Sequence, residues 1–193
     1  MHGIVGRRSA LGGFIGLLVA TPAWADAVVV PVSLQAELVG KIVPYDRSPP
    51  VLAGDRLVVL ILVRAGSADS ERAAAQMEDA LGLQPEIGGY AHASERVTFT
   101  TPADVARAVK VHQAGVLYVT PGLSGAAPAI AASLDDVDVL SVAAVPGDVA
   151  SGIVVGFDVD SGRPKILVNL VHAKRQHVDF QAAFLKLTRV VAA

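Results

Sequence analysis

The chain has 193 residues, no cysteine, 52% hydrophobic residues and 18% charged residues. This composition excludes an intrinsically disordered chain, and 18 glycines with 11 prolines are too few for a collagen-like or low-complexity protein. The 16 basic and 18 acidic residues give a formal net charge of -2, which removes the electrostatic argument for nucleic-acid binding.

The first 25 residues have the pattern of a secretory signal peptide. Arg7 and Arg8 form a positive start, residues 11–20 are apolar, and Ala23-Trp24-Ala25 is a small-x-small cleavage site. The apolar run is too short to cross about 30 Å of hydrocarbon. We therefore predict cleavage after Ala25 and a periplasmic protein in which residues 26–193 form a single domain. An uncleaved membrane anchor is the alternative.

The remaining chain shows alternating helix and strand patterns. Leu34, Leu38 and Ile42 recur at a spacing of four and predict a helix over residues 33–45. A continuous apolar run predicts a strand over residues 56–64 that is buried on both faces. The other predicted helices cover residues 67–82, 102–112, 124–134 and 180–191. The other predicted strands cover residues 96–100, 115–120, 137–143, 152–159 and 165–170.

This order of elements predicts the fold class. Short strands separated by helices of about ten to fifteen residues indicate βαβ units and a mainly parallel sheet. The last two strands flank Asp160-Ser161-Gly162-Arg163, whose turn residues predict an antiparallel hairpin. We therefore predict an α/β protein, a three-layer α/β/α sandwich with a mixed, mainly parallel sheet and a C-terminal β-hairpin plus helix.

Two loops that follow predicted strands are candidate ligand loops. The first contains Ser67, and the second contains Gly122, Ser124 and Gly125. In open parallel sheets, ligands bind at the carboxyl ends of strands where the chain order reverses, and free N–H groups there can hold an anion. The second loop matches neither glycine-rich phosphate motif and misses the G-x-S-x-G elbow by one position. A plain strand-to-helix turn is the alternative to a small-ligand site.

No metal or catalytic constellation is evident in the sequence. His172 and His177 are five residues apart, whereas two ligands on one helical face need a spacing of three or four. Residues 158–162 begin like a calcium loop but lack the further acceptors and the closing glutamate. We therefore expect no metal, no cofactor and no catalytic activity.

The last forty residues resemble the C-terminal half of the YfiR/HmsC family. The resemblance rests on a glycine-led strand at Gly152, a second strand ending in Asn169 and an apolar residue, and a leucine pair that includes Leu185. The first predicted helix ends in Val43-Pro44-Tyr45 rather than in the family's Trp-Pro, and the cysteines common in the family are absent. The chain therefore resembles a divergent member of the YfiR/HmsC family.

The resemblance implies a non-enzymatic periplasmic regulator. Such a protein would bind the periplasmic part of an inner-membrane diguanylate cyclase, hold it inactive, and so limit cyclic di-GMP and biofilm formation. The resemblance also implies a homodimer, and Asn169 matches the family's characteristic asparagine. A structural role for Asn169 is the alternative, because its side chain could tie a strand end to the following turn.

Two other function classes stay open. The chain could be a periplasmic small-ligand-binding module that resembles one lobe of a solute-binding protein and serves a transporter or sensor. It could also be an exported enzyme, although no acid–base pair, metal cluster or nucleophile constellation can be assembled from the sequence. A partner-binding protein should expose an apolar patch rather than a deep polar cleft.

Overall fold

The computed structural model describes residues 28–47 and 56–191; the predicted signal peptide lies outside these residues. The strands are β1 Arg56–Val63, β2 Ala91–Thr98, β3 Val116–Val119, β4 Leu140–Ala143, β5 Val155–Asp160, β6 Arg163–Val168 and β7 Arg189–Val190. The helices are α1 Val32–Ile42, α2 Ala68–Gly82, α3 Pro102–His112, α4 Ala127–Ser133, α5 Leu170–Arg175 and α6 Ala182–Leu185. Short 3-10 turns cover Val43–Tyr45, Ser124–Ala126 and Pro146–Val149.

The strands form one seven-stranded sheet in the order β2-β1-β3-β4-β5-β6-β7. Strands β1 to β5 run parallel to one another, β6 is antiparallel to β5, and β7 is parallel to β6. Asp160 pairs with Arg163, and Ser161 and Gly162 between them have positive φ angles of 51° and 76°, as a two-residue hairpin turn requires. The prediction of a mixed, mainly parallel sheet with a late hairpin is confirmed.

Two apolar cores lie on opposite faces of the sheet. Alternate β1 side chains such as Val59 and Ile61 pack with residues of α1, α2 and the C-terminal segment. The intervening residues, such as Leu60, pack with residues of α3 and α4. Because side chains alternate across a strand, one continuous apolar run covers both faces. The three-layer α/β/α arrangement is therefore confirmed.

A buried polar contact joins α1 to the centre of the sheet. The Tyr118 hydroxyl on β3 donates to Gln35 Oε1 at 2.9 Å. Gln35 Nε2 donates in turn to the carbonyl oxygens of Val30 at 2.9 Å and Ala144 at 3.3 Å. Burial raises the pKa of Tyr118, so its phenol stays protonated and remains a donor. The contact fixes the N-terminal segment over β3 and β4.

The prediction of one long helix over residues 180–191 is wrong. The structure has a four-residue helix, α6, followed by the short strand β7. Val190 pairs with Val168, and the Val191 amide donates to the Val168 carbonyl at 2.8 Å. β-branched residues favour extended backbone, and the open edge of β6 offers them partners. The helix α5, placed directly after β6, was not predicted.

Gly152, just before β5, occupies a position that an added side chain cannot fill without strain. Its φ is +111°, and a Cβ atom there would lie 2.7 Å from Ala131 Cβ and 2.9 Å from His172 Cε1. We expect Gly152→Ala to lower the free energy of unfolding by about 2 kcal/mol or more, measured by urea denaturation. Gly162→Ala is the control, because its φ is also positive but its Cβ would meet open space. Gly162→Ala should lower the free energy of unfolding by about 1 kcal/mol. Equal losses in the two variants would show that the contacts around Gly152 do not matter.

Candidate functional site

The order of the strands reverses between β1 and β3. From β1 the chain passes to β2 on one side of β1 and then returns to β3 on the other side. Helix α2, which follows β1, packs in one core and α4, which follows β3, packs in the other, so the connections leave β1 and β3 toward opposite faces of the sheet. In open α/β sheets such a reversal opens a crevice at the carboxyl ends of the strands. Both candidate ligand loops lie at this edge.

The structure brings two of the predicted loop residues together. Gly122 has a φ of +84°, and a Cβ atom on it would lie 3.2 Å from Ser67 Oγ. Arg64 Nη1 donates to the Gly122 carbonyl at 2.5 Å and thereby links the two loops. Ser124 begins a 3-10 turn, and its buried Oγ has no hydrogen-bond partner among the described residues. Gly125 is exposed, with open space where a Cβ would stand.

A buried hydroxyl network holds the β1 and β3 loops in register. Ser67 Oγ accepts from the Ser70 amide at 3.3 Å and caps α2. Ser70 Oγ accepts from the Arg64 amide at 2.8 Å and lies 2.6 Å from Thr120 Oγ1. Thr120 Oγ1 donates to the Leu62 carbonyl at 2.6 Å. Since each hydroxyl has one proton and Thr120 uses its own toward Leu62, Ser70 must be the donor to Thr120, so both of these buried hydroxyls donate and accept.

A cleft of about 370 Å³ opens beside these loops. Asp69 and Arg72 form an ion pair at 2.7 Å in its wall, Gln76 adds an amide, and the other lining residues are apolar. The residues lining the cleft are Val28, Pro31, Val32, Asp69, Arg72, Ala73, Gln76 and Pro121. A small ligand with both polar and apolar groups fits this mixture. The predicted loop residues Ser67, Gly122, Ser124 and Gly125 do not line the cleft, whereas their sequence neighbours Asp69 and Pro121 do.

A second concave surface lies at the C-terminal end of the chain. This groove, of about 260 Å³, is lined by Leu170, Val171, Ala173, Lys174, Val178, Asp179, Phe180 and Leu185. We name it the C-terminal groove. Val171 is 49% exposed, which is high for a valine beside a core, and Leu185 is half-buried. Asp179 is paired with Arg47 at 2.8 Å, so its charge is compensated at the groove wall.

Asn169 fixes the helix that forms one wall of the C-terminal groove. Its Oδ1 accepts from the His172 amide at 3.1 Å and caps α5. Its Nδ2 donates to the Val149 carbonyl at 2.9 Å, and its backbone amide donates to the Val154 carbonyl at 2.8 Å. The side chain is fully buried. One residue therefore joins the end of β6, the turn before β5 and the start of α5.

The ring of His172 lies on the same helix and packs against Gly152. Burial lowers the pKa of His172, and Arg175 lowers it further, whereas Asp135 acts in the opposite direction. The ring is therefore held in its neutral form near neutral pH. No group of three or more His, Cys, Asp or Glu residues that could hold a metal occurs within residues 28–47 and 56–191.

Sequence reasoning missed several of these residues. Arg64 is the first charged residue after the apolar run of β1, and this position at the end of a buried strand was the available signal. Ser70 and Thr120 gave no signal, because nothing in the sequence shows that two hydroxyls fifty residues apart meet. The C-terminal groove was also missed, since a helix was expected where α6 is followed by β7.

Replacing Asn169 with alanine should destabilise the fold. The change removes the cap of α5 and leaves the Val149 carbonyl buried without its donor, so we expect a loss of about 1–3 kcal/mol in the free energy of unfolding. Ser67→Ala is the matched control. It removes only the helix cap of α2 and should therefore lower the free energy of unfolding by less than Asn169→Ala does. Denaturant unfolding of both purified variants measures the difference. An unchanged stability of Asn169→Ala together with loss of biological activity would refute the structural role.

Several solved structures have a fold similar to that of this chain. An ABC domain in complex with L-Trp from Streptococcus pneumonia matches with a TM-score of 0.59 and 13% identity over 83% of this chain and 62% of that one. A ligand-free substrate binding protein with adhesive properties from Clostridium difficile gives 0.57, with 16% identity over 85% and 60% of the two chains. A conserved domain protein from Vibrio cholerae gives 0.55, with 15% identity over 84% and 60%.

These likenesses show the fold alone. The chain spans about 60% of the length of the solved proteins it matches. A search of curated protein sequences finds no significant match. Within the described part of the chain, every helix is too short or too polar to cross a membrane.

A family model identifies the chain itself. The model described as YfiR/HmsC-like matches residues 33–189, which is most of the sequence and includes both candidate ligand loops and the C-terminal groove. This match supports a periplasmic regulatory role in general terms, in a family that is regulatory rather than catalytic. The expectation drawn from Gly152, Asn169 and Leu185 that the chain is related to this family is thereby confirmed, and the protein belongs to the YfiR/HmsC-like family.

Proposed function

We propose that this protein is a non-enzymatic periplasmic regulator that binds and represses an inner-membrane diguanylate cyclase. Residues 1–25 direct its export and are removed, and residues 26–193 act as one domain that can form a homodimer. Repression limits cyclic di-GMP and biofilm formation. The observation that carries the proposal is the exposed apolar C-terminal groove, which lies within the residues that the family model matches.

The groove has the properties of a protein-docking surface. Its lining is mainly apolar, and Val171 presents about half of its surface to solvent. Exposed apolar patches bordered by polar residues mark sites of interaction with proteins or membranes, and ligand-binding grooves. Asn169 caps the wall helix, and Tyr45 stacks on Phe184 below the groove with ring centroids 5.3 Å apart. The surface is therefore rigid before a partner arrives, which limits the entropic cost of binding.

Deletion of the gene should raise cellular cyclic di-GMP, and the wild-type gene on a plasmid should lower it again. A gene carrying Val171→Asp should fail to restore repression, because a carboxylate in the groove would be desolvated by the partner. Cyclic di-GMP in cell extracts, measured by mass spectrometry, gives the readout. Since Val171 is half exposed, the variant should keep its stability and its periplasmic level.

Val111→Asp is the matched control. Val111 is 70% exposed and lies on α3, which packs on the other face of the sheet, so this variant should repress normally. Full repression by Val171→Asp would exclude the groove as the docking surface. Unchanged cyclic di-GMP after deletion would exclude the regulatory function itself.

The cleft at the carboxyl ends of β1 and β3 supports a second function, that of a small-ligand-binding module serving a transporter or sensor. Its volume of about 370 Å³ suits a small metabolite, and its wall holds both charges of the Asp69–Arg72 pair. The similar solved structures include a substrate binding protein and a domain in complex with L-Trp. These likenesses are of fold, and the ligand of this chain is a separate question.

Ligand binding in the cleft should appear as a thermal shift. The mature protein, screened against a panel of amino acids and nucleotides, should show a raised melting temperature with at least one compound. The double variant Asp69→Ala with Arg72→Ala should lose that shift. The control double variant is Asp104→Ala with Arg107→Ala, which removes an equally spaced ion pair from α3. If no compound raised the melting temperature, or if both double variants lost this thermal shift equally, the result would count against the ligand-binding function.

A further inference from the structure

In the described part of the chain, β2 is the only long strand at an edge of the sheet. It has eight residues, and among the described strands only β1 pairs with it. The strand at the opposite edge, β7, has only two residues. A long unpaired edge can accept a further strand, and natural proteins usually shorten, bend or cover such an edge. Strand β2 is therefore the candidate pairing surface of this sheet.

The pairing of β2 with β1 shows which backbone groups of β2 point outward. The Phe99 amide donates to the Val63 carbonyl at 2.8 Å, so the residue after the end of β2 faces β1. Along a strand, the N–H and C=O groups of successive residues point to opposite sides. The odd-numbered residues of β2 therefore face β1. The residues whose N–H and C=O groups point away from the sheet are His92, Ser94, Arg96 and Thr98.

The described side chains of β2 do not block the approach of another strand. All eight residues pair with β1 in one continuous register, and the strand contains neither proline nor lysine. Its charged side chains are bound to the protein's own helices, Arg96 to Glu78 on α2 and Glu95 to His112 on α3. Because these charges are compensated within the chain, the edge does not select a charged foreign peptide, and two identical edges do not repel each other.

Antiparallel pairing with the same strand of a second copy satisfies the outward groups. A twofold axis near the middle of the strand passes at Ser94, Glu95 or Arg96. An axis at Glu95 or at Arg96 would set like charges directly opposite each other, which destabilises a strand pair. The axis at Ser94 avoids this arrangement and places Ala93 opposite Glu95 of the second copy. It also pairs residues 91–97, which is nearly the whole strand.

We propose that β2 pairs antiparallel with β2 of a second copy, about an axis at Ser94. The proposal rests on the homodimer of the proposed function and assigns its interface. The C-terminal groove is built from the segment between β6 and β7, at the other end of the sheet from β2. Pairing through β2 joins the two seven-stranded sheets into one and leaves both grooves uncovered, about 50 Å apart. Such a dimer can engage two partner molecules at once, which strengthens its attachment to a partner that is itself paired.

Sedimentation equilibrium of the mature protein tests this interface. The wild type should be a dimer. The dissociation constant of Ser94→Pro should be at least about tenfold higher, because proline removes the N–H group that bonds across the axis in both copies. Proline is tolerated at an edge position whose N–H group points outward, so the monomer should fold. Ser94→Ala is the matched control, because it also removes the hydroxyl but keeps the N–H group, and it should dimerise like the wild type.

A second pair of variants tests the register without changing the backbone. Ala93→Glu places a carboxylate opposite Glu95 of the second copy at two equivalent positions, and it should raise the dissociation constant several-fold. Ala93→Lys places an ammonium group at the same positions and should lower the dissociation constant. If the two variants changed it in the same direction, the axis at Ser94 would be wrong.

Hydrogen exchange followed by NMR gives a residue-level readout of the same interface. In the dimer, the Ser94 and Arg96 amides should exchange slowly, and dilution to the monomer should make them fast while the Val97 amide, which faces β1, stays protected. A monomeric wild type, or a folded Ser94→Pro variant that dimerises like Ser94→Ala, would overturn the proposal. Either result would leave the regulatory function intact, because cyclic di-GMP in the deletion strain tests that function separately.

Discussion

The burial of β1 on both faces is the constraint on which the remaining structure depends. Every residue of this strand after Arg56 is buried, and its side chains supply both apolar cores. A strand in this position must have helices on both faces of the sheet. Strands β2 and β3 flank β1, and because crossovers are right-handed, the chain reaches them by connections on opposite faces. The reversal of chain order between β1 and β3, and with it the cleft at the carboxyl edge, follows from the same requirement.

The second concave surface has a different origin. It forms where the antiparallel hairpin of β5 and β6 ends the parallel part of the sheet and the chain turns back across one face. Gly152 precedes this hairpin and allows close approach of the His172 ring, and Asn169 follows the hairpin and bonds to three backbone segments. The helix they hold is only six residues long, so packing and capping rather than helix propensity keep it in place.

The parallel core could be predicted from the sequence because its signals are local and strong. The apolar run of β1 and the proline and threonine that begin α3 leave few alternatives, and α3 begins and ends where it was predicted. The C-terminal segment could not be predicted in this way. Phe180 and Phe184 have helical spacing, but the open edge of β6 captures the residues that follow. The contact between Ser67 and Gly122, and the network of Ser70 with Thr120, depend on tertiary distance that no local pattern contains.

The C-terminal groove depends on contacts between the two ends of the described chain. The Arg47 amide donates to the Asp179 carbonyl, Tyr45 stacks on Phe184, and Asp46 forms a β-bridge with Phe180. More than 130 residues separate the partners in the bonds between Asp46 or Arg47 and Asp179. Contacts of such long range form late in folding, and during synthesis they must wait until the last segment has emerged. The groove is thus a surface that only a completely synthesised and folded chain presents, and a truncated or misfolded copy would be silent toward any partner that recognises it.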